Sequence, residues 1–112
     1  MTATRLALIW SPVEDQETAR AIARILVAEK LIACANIVPA IQSVFAWDGR
    51  IEESAEAGLL CKTSAARLEE AHARLAELHT YDIPVITGWL ADSTLPATLQ
   101  WLDDTLPTGA GQ

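Results

Sequence analysis

The chain has 112 residues, 51% of them apolar but only 5% aromatic, and fifteen acids against eight bases give a net charge of −7. That length makes a single domain spanning 1–112, able to build one core without disulfides or structural metal. The acidic balance, with no basic stripe or aromatic platform, repels phosphate backbones and sets nucleic acid aside as a partner. No segment approaches the ~20 apolar residues of a membrane span. The apolar run nearest the start covers only residues 6–10, too short for a secretory signal. A cytoplasmic address is expected. Cys34 and Cys61 lie far apart with no paired-Cys motif, so neither a zinc site nor a disulfide framework is indicated. The apolar surplus is mainly Ala, Leu, Ile and Val, which fits either burial between subunits or simply Ala-rich helices.

Leu6-Ala7-Leu8-Ile9-Trp10 reads as a strand buried on both faces. Ser11, Pro12 and Glu14 then look like a capping box with Pro at the first helical position, opening a helix that runs to about Lys30. Ala19, Ile22, Ala23 and Leu26 share its apolar face. A second strand follows over residues 31–47, interrupted near Pro39, which lacks a ladder donor and predicts a bulge or an edge position. Asp48-Gly49 is a strong hairpin signal, because Gly accepts the positive φ of a tight turn. The third strand runs over residues 50–63. Its alternation sets Ile51, Ala55, Ala57, Leu59 and Cys61 on one face, with Glu52, Ser54, Glu56, Gly58 and Lys62 on the other.

Thr63 or Ser64 is expected to cap a helix in which Leu68, Ala71, Leu75 and Leu78 recur at helical spacing. His79 to Pro84 ends it, since Pro84 forces the residue before it out of helical space. Residues 85–90 read as a fourth strand. Thr94 can cap a last helix striped by Leu95, Leu99, Leu102 and Leu106, and the tail 107–112 is expected to be flexible. The order β-α-β-β-α-β plus a C-terminal helix is an α+β, ferredoxin-like plan (split β-α-β) with a long β2-β3 hairpin. One sheet face takes the two long helices. The other is left needing a partner, and projecting hairpins of this length often pair with another subunit.

The ordered set of motifs resembles the CutA family of divalent-cation tolerance proteins. The residues that carry the likeness are Glu29-Lys30-Leu31-Ile32-Ala33-Cys34-Ala35-Asn36-Ile37-Val38-Pro39, then Trp47-Asp48-Gly49-Arg50-Ile51-Glu52-Glu53, then Lys62-Thr63. His79, Tyr81 and Pro84 match the family's His-Pro-Tyr-x-x-Pro-Glu segment, and Leu99 to Leu102 its last helix. The resemblance implies a homotrimer joined by strand extension, similar in plan to the PII signalling proteins, and a role linked to copper and other divalent metals. It implies no enzymatic reaction. The chain departs from the family's pattern at proposed metal positions: Ser11 stands where a Cys is found, Val85 where a Glu is found, and Thr80 where Pro is usual.

Candidate site residues divide on these terms. His79, following a helix, can cap free carbonyls or serve as a metal ligand. Tyr81 and Asp82 beside it are placed in a cleft between subunits that binds a cation or small effector, with Trp47, Lys62 and Ser11 as neighbours. His72, seven residues before His79, is read as a surface residue. Counted back from the turn in an unbulged register, Cys34 and Cys61 fall diagonally on one face, as buried free thiols or, less simply, a soft-metal site. Glu52 and Glu56 share a strand face and are expected to pair with a basic residue of a neighbouring chain. Trp101 is assigned to interface packing. No nucleophile–base pair or cofactor motif is present, so catalysis and an organic cofactor are not expected. A divalent cation, copper or zinc, bound weakly, is the expected ligand. A PII-like trimer that docks a protein partner independently of metal is the alternative.

Overall fold

The structure, a computed structural model, describes residues 3–106. Along it run β1 (Leu6–Val13), α1 (Gln16–Ala28), β2 (Cys34–Trp47), β3 (Arg50–Ser64), a 3₁₀ turn (Ala65–Arg67), α2 (Leu68–Leu78), β4 (Thr87–Leu90) and α3 (Pro96–Thr105). The expected flexible tail, 107–112, lies outside the described residues. The sheet order is β2-β3-β1-β4, every neighbouring pair antiparallel. β3 therefore lies between the like-directed β1 and β2, which is the split β-α-β plan read from the sequence.

The hairpin turn is built as its dipeptide demands. Asp48 and Gly49 both have positive φ, 52° and 73°, as a two-residue type I′ turn needs, and Trp47 faces Arg50 across the closing pair. β1 pairs with β3 only over Ala57–Ser64, so the tip half of the hairpin has no strand beside it but its own partner. The molecule is accordingly elongated, 49 × 26 × 22 Å. This explains one departure from the alternation read above. Ala57, Leu59 and Cys61 are buried, but Ile51, on the same face of β3, is 81% exposed because the ribbon has left the helices behind.

Two clusters hold the sheet. On one face α1 supplies Ala19, Ile22 and Leu26, and α2 supplies Ala71 and Leu75, over Ile9, Val13, Leu59 and Cys61. Arg74 of α2 grips Glu29, just past α1, through two 2.9 Å bonds. The opposite face is not wholly open. α3 folds across one end of it, where Leu102 and Leu106 meet Leu6 with Leu8, Ala33 and Leu99 around them.

Three local expectations need correction. α1 begins at Gln16, and its N-cap is Asp15, whose Oδ1 accepts the Thr18 N–H at 2.8 Å. The Ser11-Pro12-Glu14 pattern loses to the sheet: Ser11 and Pro12 stay in β1, opposite Leu59 and Gly58. Pro12 lies beyond the last β1–β4 pair, Trp10 with Thr87, so β1 is an edge on that side and a Pro is tolerated there. Ser64 precedes the 3₁₀ turn without a side-chain capping bond, and α2 itself starts after Arg67. Leu95, not Thr94, occupies the cap of α3, with Pro96 at its first turn.

Candidate functional site

The loop after α2 is fixed from both sides. The N–H of His79 closes the helix on the Leu75 carbonyl. Its ring is buried beneath β1, where Nε2 approaches the Pro12 carbonyl at 3.0 Å. A carbonyl only accepts, so Nε2 carries the proton, and Nδ1 is left to accept the Tyr81 N–H at 3.2 Å. Both ring nitrogens are thus spent on holding the loop, and a metal could use one only by breaking a bond. The Tyr81 ring lies 4.8 Å from the His79 ring, and its hydroxyl donates to Glu56 Oε2 at 2.6 Å. Burial, the hydrogen bond to Glu56 and the nearby charges of Glu14 and Asp15 together push the Tyr81 phenol well above its ordinary range.

That bond closes one side of a cleft of about 600 Å³ at the foot of the projecting hairpin. Phe45, Trp47 and Tyr81 give it aromatic walls, Pro12 and Ile83 add apolar surface, and Glu52, Glu56 and Asp82 supply three carboxylates, while Glu53 lines it from β3 with a side chain that alternates to the other face. The hairpin register explains the grouping. Phe45 is opposite Glu52 and Trp47 opposite Arg50, while Glu56 lies two pleats further along the same face of β3. Arg50 sits 3.5 Å from Glu52 at the exposed rim. Among the described residues no Lys, Arg or His lines the cleft itself.

Of the six residues assigned to the site from the sequence, Trp47, Tyr81 and Asp82 meet in this cleft, joined by Glu52 and Glu56, while Ser11, Lys62 and His79 do not line it. Ser11 is fully buried and donates to the Val85 carbonyl at 2.7 Å, so two departures from the family's pattern are bonded neighbours. Lys62 projects from the sheet face opposite α1 and α2, across from Leu8 and Cys34. His79 stands behind Tyr81 as its support. His72 is half-buried, with Nε2 3.3 Å from the Ile86 carbonyl, and is not the free surface residue expected. Trp101 is 39% exposed on α3. Among the described residues no three His, Cys, Asp or Glu side chains converge as metal ligands.

The two cysteines also separate. Pro39 and Ala40 form the bulge that Pro39 signals, the register shifting between Val38 and Ile41. One extra residue moves every later side chain to the other face. Cys34 therefore faces Lys62, and Cys61 faces Ala35, so the thiols point to opposite sides of the sheet. Burial, with a smaller effect of Cys34, pushes the Cys61 thiol up to about 12, as for a neutral core thiol.

Phe45, Glu53, Pro12 and Ile83 escape sequence reasoning. Counting pairs outward from Asp48-Gly49 would have set Phe45 against Glu52, but nothing local brings residues 12 and 83 to the hairpin.

Fold and cleft together define a small split β-α-β protein with a carboxylate-rich, aromatic cleft at the root of a long hairpin. The family model described as CutA1 divalent ion tolerance protein matches residues 7–105, and the chain belongs to that family. It is 35% identical over 97 residues to the divalent-cation tolerance protein CutA of Pyrococcus horikoshii, covering 87% of this chain and 94% of that one. The crystal structure of the divalent ion tolerance protein CutA1 from Ehrlichia chaffeensis superposes with a TM-score of 0.89 at 30% identity, covering 94% of this chain and 98% of the other. A structure from Archaeoglobus fulgidus, described as a periplasmic divalent cation tolerance protein CutA, gives a TM-score of 0.85 at 32% identity, with 90% and 98% covered.

Proposed function

We propose that this chain is a divalent-cation tolerance or response protein that works as a homotrimer. It holds copper, zinc or a small effector weakly where the cleft of one subunit meets the next. The observation that carries this reading is the cleft itself: three carboxylates and, among the described residues, no basic lining residue, at the root of a long projecting hairpin. Val44 and Ile51 on that arm are 64% and 81% exposed, which favours burial against another copy. β2 and β4 are the two sheet edges through which strands of neighbouring subunits can add.

The donor set suits a loosely held ion. Carboxylate oxygens of Glu56 and Asp82 suit hard or borderline cations, and an imidazole would favour copper further. His79 is the residue that would provide it, after releasing Pro12 or Tyr81. No reaction is part of this proposal, and neither is an organic cofactor. We place the protein in the cytoplasm, where cell fractionation tests it; no helix among the described residues is long and apolar enough to cross a membrane.

Native mass spectrometry of metal-stripped protein, with and without copper and zinc, tests the reading. A trimer gaining about one ion per subunit supports it, and a monomer contradicts the architecture. A second reading is a PII-like scaffold that docks a protein partner without metal. It is favoured by the absence of three convergent ligands among the described residues and by the engagement of both His79 nitrogens. A partner recovered equally from metal-free and metal-loaded buffer would support it.

A further inference from the structure

The make-up of the cleft discriminates between kinds of cation. A bare metal ion needs several oxygen or nitrogen donors converging on one point within about 2–2.6 Å. Here the carboxylates are spread around the wall with aromatic rings between them, and no three of them converge. Glu53, Glu56 and Asp82 have no ion-pair partner among the described residues, and only Glu52 is matched, by Arg50. Diffuse charge over an apolar body is what such a lining serves best. The ring faces attract a cation through their quadrupoles, most strongly at Trp, and the carboxylates attract it from around the rim. The volume, about 600 Å³, falls within the range of small-molecule sites.

We propose that the effector of this cleft is a small organic cation, an alkylammonium with an apolar body. Its charged head lies among Glu52, Glu56 and Asp82, and its chain rests against Phe45 and Trp47. This rests on the cleft being the binding site, as proposed above, and adds the class of ligand. Every group named belongs to one chain, and a second subunit would close the cleft around a ligand held by these groups. Glu56 is the pivot. It already accepts the Tyr81 hydroxyl through Oε2, leaving Oε1 for an ammonium, so an occupied cleft would reinforce the bond that ties the loop after α2 to the hairpin.

The test is an amide chemical-shift titration of the metal-stripped full chain with n-butylammonium, using n-butanol as the neutral isostere and zinc as the bare ion. The expected result is saturable shifts at Phe45, Trp47, Glu52, Tyr81 and Asp82 with n-butylammonium, and binding of n-butanol at least roughly five-fold weaker. Trp47→Leu, at an exposed position that should leave folding intact, is expected to weaken n-butylammonium by about five-fold. Arg74→Met, on the far side of the helices, should leave it unchanged. Equal binding of the alcohol, or shifts centred elsewhere, would overturn the proposal. If zinc alone moves these amides, the organic cation fails while the cleft survives as an ion site. If neither moves them, both fail.

Discussion

The Tyr81 hydroxyl donates to Glu56 Oε2 at 2.6 Å, joining the loop that follows α2 to the root of the β2–β3 hairpin across 25 residues of sequence. Through the backbone of Tyr81 the same tie reaches His79, and through His79 the carbonyl of Pro12 in β1. Three elements meet in this chain of bonds beside the cleft.

Removing the hydroxyl should loosen it. Tyr81→Phe is expected to cost about 1 kcal/mol at neutral pH, less than the ~1.5–3 kcal/mol of a buried bond to a charged group because the residue is only half-buried. The folded-state phenol is raised above its unfolded value, so its contribution is fully present below about pH 10 and is lost as pH rises through the folded pKa. Urea melts of both proteins at pH 7 and above pH 10 check this: the difference should shrink in alkali. An unchanged difference would contradict it.

His79→Ala should destabilise the fold by about 1–3 kcal/mol, because it leaves the Pro12 carbonyl and the Tyr81 N–H without their partner. The measurement is the denaturant midpoint of metal-free protein. A metal ligand with no structural duty would leave that midpoint where it was.

Gly58 is covered by the indole of Trp10, and a Cβ built on it runs into the ring edge. Gly58→Ala is expected to cost about 1–3 kcal/mol from overpacking, against a gain of only about 0.4–1 kcal/mol from the stiffer unfolded chain. Thermal unfolding gives the net loss. A stabilised variant would show that the indole moves away freely.

Glu29 is held below the usual carboxylate range, chiefly by its hydrogen bonds from Arg74. A lowered folded-state pKa stabilises above the unfolded value, about 4.3, and that contribution disappears as pH falls through the folded one. Arg74→Met should therefore lower the melting temperature slightly at pH 7 and flatten its fall between pH 5 and 3. Because the pair is exposed to solvent, added salt should reduce the difference.

Much of the fold was legible because its signals are local. Asp48-Gly49 announced its own turn, Pro39 its own bulge, and Ala19, Ile22, Ala23 and Leu26 their common face. Where local signals competed with pairing between strands, pairing won. Ser11 and Pro12 look like a helix start but are kept in β1 by Leu59 and Gly58, and the cap passes to Asp15. The bulge shows the same limit from the other side: its position could be read, but the change of face it imposes on Cys34 requires the exact register. The cleft was half legible. Tyr81 and Asp82 stand next to His79 in sequence, and Trp47 beside the turn, but their meeting depends on how far the hairpin projects past β1. That length is set by tertiary packing. In the sequence His79 suits a structural cap better than a ligand, and the Pro12 carbonyl and the Tyr81 N–H use both of its nitrogens.

The central claim is that the carboxylates beside Tyr81 gather cations, and calorimetric titration of zinc into metal-stripped protein tests it most directly. Glu56→Gln with Asp82→Asn keeps an acceptor for the Tyr81 hydroxyl while removing both charges. The account predicts zinc affinity at least about ten-fold weaker in the double variant, the loss of charge-assisted contacts. Equal affinity in the two proteins would place the cation elsewhere and contradict the account.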